Sequence, residues 1–151
     1  NDLQTIVALS GTGSELSRAS IQLYPGGFLE VLGRAKEGTA EQKIVRAIEP
    51  ALLGSWHQVY GVLDYAADSI FIYLDGALIG SDEVSFAQQS TSATACSYGA
   101  LGSDDAGSQQ FYYGRLDEVR VSRVRRRPAW IRFSYESQNP ASAIVTTKSP
   151  R

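Results

Sequence analysis

The sequence predicts an all-β protein: an antiparallel β-sandwich of two sheets with one short C-terminal helix. Three observations lead there. Short apolar, β-branched segments recur along the chain between turn residues. Asp75-Gly76 separates two of them, the strongest short-range signal for a hairpin. A single stretch, 127–137, has apolar residues at helical spacing behind a proline.

The elements follow in order. Thr5–Leu9 is apolar and β-branched, and 10–14 (SGTGS) is a loop. Ala19–Tyr24 alternates, with Ile21 and Leu23 on one face and Ser20, Gln22 and Tyr24 on the other. Pro25-Gly26-Gly27 turns the chain and Phe28–Leu32 returns, which makes a hairpin. Lys43–Ile48 fits strand or helix. Trp56–Leu63 reads as a strand covered on both faces, and Ile70–Leu74 and Ala77–Ile79 flank the Asp75-Gly76 turn. Both turn residues tolerate the positive φ of a tight primed turn. Ala95–Leu101 is a strand, 102–109 a polar loop, and Phe111–Val124 a strand or strand pair. In that last segment Asp117 shares a face with Val119 and Val121, so it is expected to point inward. Arg127–Ser137 is the helix: Pro128 opens it, Ile131 and Tyr135 stand four apart, and Trp130 and Phe133 three apart. Pro140 stops it, and Ala143–Thr147 reads as a closing strand.

Composition narrows the function classes. The 151 residues, 43% hydrophobic and 20% charged, suit one folded domain over 1–151 and argue against disorder. The longest uncharged apolar run, Ile70–Leu74, is far too short for a membrane-spanning helix, so no membrane insertion is expected. With one cysteine (Cys96) and one histidine (His57), the chain has neither an internal disulfide nor a Cys- or His-rich metal centre. Residue 1 is not methionine and no signal peptide is visible, so a fragment or one module of a larger protein is expected.

The charge is uneven. Residues 1–114 carry five basic and thirteen acidic side chains, and residues 115–151 nine basic and three acidic ones. Arg123, Arg125, Arg126 and Arg127 form a short cluster with no aromatic signature or helix-turn-helix beside it, so no nucleic-acid partner is expected. The expectation is a tail folded back on the acidic part, with arginines pairing across the surface.

Asp117 and Glu118 are adjacent, so on a strand they face opposite ways and cannot flank one glycosidic bond. His57 has no Ser or Cys nucleophile beside it in sequence. Asp104 and Asp105, in the loop GSDDAGSQ, could supply carboxylate oxygens to calcium. Tyr98, Tyr112 and Tyr113 flank that loop and form the expected ligand site, since flat phenol rings stack on sugars and add a hydrogen bond. Trp56, Trp130, Phe71 and Phe133 read as core.

Three segments, in order, carry a family resemblance: WHQVYGVLD (Trp56–Asp64), IYLDGALIG (Ile72–Gly80) and GRLDEVRV (Gly114–Val121). The tail PAWIRFSYESQNP (Pro128–Pro140) adds to it. Together they resemble a bacterial laminin-G-like, concanavalin A-like jelly roll over roughly residues 4–147. The resemblance implies a secreted, periplasmic or cell-surface module that binds glycans, adheres or contacts a surface protein, and is not an enzyme. The alternatives are a structural or protein-interaction domain of a surface or envelope protein and, further off, a glycoside hydrolase. Related domains begin with a further strand or two, so an exposed sheet edge and self-association through it are expected.

Overall fold

A computed structural model describes residues 2–9, 19–34, 42–47, 50–51, 54–86, 99–104, 107 and 109–142. Among these residues the strands are β1 (Gln4–Leu9), β2 (Ala19–Tyr24), β3 (Phe28–Arg34), β4 (Gln42–Arg46), β5 (Val59–Asp64), β6 (Ser69–Leu74), β7 (Ala77–Glu83) and β8 (Gly99–Leu101). One helix, α1 (Pro128–Gln138), follows. The strands form two antiparallel sheets, ordered β4-β3-β2-β1-β8 and β5-β6-β7.

The expected hairpins are present. In β2–β3, Tyr24 pairs with Phe28 across Pro25-Gly26-Gly27. In β6–β7, Leu74 pairs with Ala77 across Asp75-Gly76, both at positive φ (52° and 77°). The ambiguous 43–48 segment resolves as strand β4, because β3 presents an edge for it: Val31 pairs with Val45 and Leu32 with Ile44. The expected alternation in β2 is also present, since Ile21 and Leu23 pack against the core while Gln22 hydrogen-bonds on the opposite face.

Period-2 alternation aims one face of each sheet at the other. Leu29, Val31 and Val45 of the larger sheet meet Ile70 and Ile72 of the smaller, with Val84 and Phe86 beyond β7. Ile70 and Ile72 are fully buried. The sheets approach closely at Gly61, where a Cβ would lie 3.0 Å from Val31 Cγ2. The smaller sheet is also covered on its outer face. There Ile131 of α1, fully buried, packs with Val62 and Tyr73, flanked by Tyr60 and Phe71.

Several expectations are corrected. Phe111–Val124 is not a strand: no described strand pairs with it, the chain bends at Gly114 and at Arg123–Val124, and Asp117 is exposed rather than inward. Its alternation is real, but a strand needs an edge to pair with, and local bonds interrupt it. Asp117 Oδ1 accepts the Glu118 N–H at 2.8 Å, with Glu118 at φ 49°. Val119 and Val121 are therefore 43% and 68% exposed. Trp56 is not core either; it precedes β5 and is 66% exposed. On α1 the apolar stripe is narrower than its spacing suggests: Ile131 is buried, while Trp130 and Phe133 are partly exposed. The expected closing strand at 143–147 and residues 95–98 of the strand expected at 95–101 lie outside the described residues.

Candidate functional site

The outer face of the five-stranded sheet carries a row of polar side chains. Register places Thr5 opposite Gln22, Gln22 opposite Glu30 and Glu30 opposite Arg46, across β1, β2, β3 and β4. A sheet face directed away from the core is ordinarily wet, yet Thr5, Gln22 and Glu30 are all buried. Buried polar groups need partners, and this row supplies them. Gln22 Nε2 donates to Thr5 Oγ1 at 3.3 Å, and Thr5 Oγ1 donates to Gln110 Oε1 at 2.8 Å. Arg46 Nε donates to Glu30 Oε1 at 2.6 Å, and the Arg46 guanidinium lies 3.8 Å from the centre of the Tyr24 ring. The hydrogen bond to Glu30, with the charge of that carboxylate, holds the Arg46 pKa above the ordinary guanidinium value.

Gln110 comes from the loop that follows β8, and this loop carries most of the residues singled out from sequence. Its main chain is tied to β1 by Thr5 N–H to Gln110 O (2.8 Å) and to the end of β8 by Tyr112 N–H to Gly102 O (2.9 Å). Asp104 is buried and closes the loop: its Oδ1 accepts the Gln109 N–H, and its main-chain oxygen accepts Gly107 N–H. Among the described residues no three His, Cys, Asp or Glu side chains gather at one point, and Asp105 lies outside them. The Asp104 carboxylate thus caps the loop's own main chain. Tyr98 also lies outside the described residues.

Tyr112 is half-buried, with its ring against Gly114, and Tyr113 is 83% exposed. The Tyr113 N–H donates to Gln4 Oε1 at 2.9 Å. Gln4 in turn lines a small cleft of about 90 Å³ with Asp2, Leu23, Tyr24 and the Pro25-Gly26-Gly27 turn. Sequence reasoning missed Tyr24, Arg46 and Glu30 as neighbours of this region. The polar face of β2 was legible, but which residues stand beside it depends on strand register.

A family model described as the concanavalin A-like lectin/glucanases superfamily matches residues 1–132. This chain belongs to that superfamily. Among solved structures, an S-layer domain-containing protein from Clostridium thermocellum is similar at 16% identity, with a TM-score of 0.47. The likeness covers 89% of this chain and 63% of that one, so this chain spans less than two thirds of it. No curated protein matches at a significant level.

Two further constellations of this superfamily member lie on the smaller sheet. His57 Nδ1 sits 2.7 Å from Asp75 Oδ2, while Asp75 Oδ1 accepts the Gln58 N–H at 2.9 Å. The Asp75 N–H returns to Gln58 O, also at 2.9 Å. One carboxylate therefore locks the β6–β7 turn to the residues entering β5. Gln58 Nε2 reaches Ser134 Oγ on α1 at 3.4 Å, which extends the lock to the helix. The expected arginine pairing is present beside it: Arg125 binds the Asp64 carboxylate and lies 4.8 Å from the centre of the Phe71 ring. Glu118 pairs with Arg120 at 2.8 Å rather than with Asp117 in a catalytic couple.

Proposed function

We propose that this chain is a non-catalytic recognition module that binds carbohydrate at the rim of the five-stranded sheet, as part of a secreted or cell-surface protein. One observation carries the reading. Exposed Tyr113 is tethered to Gln4, and Gln4 lines the same cleft as Tyr24, beside the polar row Thr5, Gln22, Glu30 and Arg46. Exposed phenol rings offer flat apolar faces for the C–H faces of a sugar, and the Gln4 amide and Asp2 carboxylate that line the cleft suit its hydroxyls. The lectin and glucanase superfamily is compatible with such a ligand. The non-catalytic part rests on charge placement: Glu30 is matched by Arg46 and Glu118 by Arg120, leaving neither poised as one of two opposed carboxylates.

A glycan array followed by calorimetry tests this. Tyr113→Ala and Tyr24→Ala are each expected to weaken binding by about tenfold, the loss of one stacking contact. Chelation of calcium is expected to leave affinity unchanged, because stacking on Tyr113 and Tyr24 needs no ion. No binding to any glycan, or binding indifferent to both tyrosines, would refute the proposal.

A further inference from the structure

The outer face of the smaller sheet is built in cross-strand rows. Val62 stands opposite Phe71 and Phe71 opposite Ser81; in the next row Asp64 stands opposite Ser69 and Ser69 opposite Glu83. Residues opposite one another in an antiparallel pair share a face. Asp64 on β5 and Glu83 on β7 are therefore diagonal neighbours of the Phe71 ring, one on each side of β6. The β5 side is filled. Arg125 binds the Asp64 carboxylate, and its guanidinium carbon lies 4.8 Å from the centre of the Phe71 ring. The β7 side is open. A cleft of about 450 Å³ lies there, lined by Ser69, Phe71, Ser81, Asp82 and Glu83. Among the described residues neither Asp82 nor Glu83 takes part in an ion pair, and both are exposed.

We propose that this cleft is a docking site for an arginine side chain of a partner protein segment, held by Glu83 and the Phe71 ring as Arg125 is held by Asp64 and the same ring. The chain's own arginine serves as the template. An aromatic ring with a carboxylate one row away accepts a planar guanidinium, which stacks on the ring face and pairs at its edge. The cleft repeats those two groups across β6 and adds the Ser81 hydroxyl and the Asp82 carboxylate at its margin. Glu83 is one methylene longer than Asp64, so it reaches further over the ring. The volume far exceeds that of one guanidinium group, which leaves room for the main chain that carries it. A lysine fits less well, because its ammonium is a compact, strongly hydrated charge that cannot stack. An anionic partner is repelled, since both free charges in the cleft are negative. This inference is independent of the carbohydrate reading, which concerns the other sheet.

Titration of the 151-residue chain with acetyl-Gly-Arg-Gly-amide, followed by amide chemical shifts in nuclear magnetic resonance, tests it. Saturating shifts are expected at Ser69–Phe71 and Ser81–Glu83, with a dissociation constant in the range of about 1–10 mM, as suits one exposed contact. The citrulline peptide keeps the shape and loses the charge, so it should bind about tenfold more weakly or worse; the lysine peptide should fall between the two. Glu83→Gln is expected to weaken arginine binding about threefold to fivefold, the worth of one exposed ion pair. Asp82→Asn should cost less, because Asp82 pairs in register with the inward Ile70 and stands only at the margin. Both side chains are exposed, so the fold is retained, and the same spectra check it. No saturating shift up to roughly 20 mM peptide, shifts centred elsewhere, citrulline or lysine equal to arginine, or a larger loss in Asp82→Asn than in Glu83→Gln would overturn the proposal.

Discussion

Gly76 offers a clean separation of backbone strain from helix docking. It has φ 77° in the β6–β7 turn, and a Cβ there would lie 3.0 Å from Arg132 Cα and 3.3 Å from Tyr135 Cβ, both on α1. Gly102 has nearly the same φ, 76°, with nothing within 4 Å of its Cβ position. Gly102→Ala therefore reports the cost of a left-handed alanine alone, about 1–2 kcal/mol. Gly76→Ala carries that cost and also pushes against the helix main chain, which cannot rotate away as a side-chain tip can. The helix must shift from Tyr60, Val62 and Tyr73, loosening the wholly buried Ile131. Overpacking of this kind adds about 1–3 kcal/mol, so Gly76→Ala is expected to lose about 2–5 kcal/mol in total. Urea unfolding of both variants gives the difference. Near-ultraviolet circular dichroism adds a local readout, because the Tyr60–Trp130 edge contact, with centroids 6.2 Å apart, should weaken in Gly76→Ala alone. Equal losses in the two variants, with an unchanged aromatic signal, would refute the reasoning that the helix rests on this turn.

Two other outcomes are expected. Arg46→Leu strands the buried Glu30 carboxylate, whereas Glu30→Leu/Arg46→Leu removes both charges; in urea unfolding the single change should cost roughly two to three times as much as the double. Burial pushes the Tyr65 phenol up to about 12, against a smaller downward pull from Arg34. The folded state thus holds that proton more tightly than the unfolded chain, so the contribution is complete below pH ~10 and is lost as pH rises towards ~12. At pH ~11, Tyr65→Phe should lose about 1 kcal/mol less than wild type relative to pH ~9, after allowance for partial solvent access. A parallel alkaline loss in both proteins would contradict it.

How far the sequence reaches is visible in particular residues. The Asp75-Gly76 and Pro25-Gly26-Gly27 turns and the alternation of Ile21 and Leu23 were legible because they depend on local backbone freedom and a two-residue period. The candidate site was only half legible. Tyr112 and Tyr113 could be chosen as aromatics beside a polar loop, but Tyr24, Glu30 and Arg46 join the region through register across β2, β3 and β4. Asp75 as the partner of His57 was equally out of reach, eighteen residues away across the β5–β6 hairpin. At Val119 and Val121 the pattern misled, since alternation states what a strand could bury and not whether an edge is available to pair with it.

By itself, then, the sequence determined the strand-forming segments, the tight turns and the start of the helix at Pro128, because φ/ψ preference and side-chain alternation act between neighbours along the chain. Only the tertiary structure decided which polar residues form the buried row, where α1 rests, and that Trp56 and the 114–124 segment face outward. Those outcomes depend on which strand edges and sheet faces meet, and such meetings join residues that sequence separation alone does not relate.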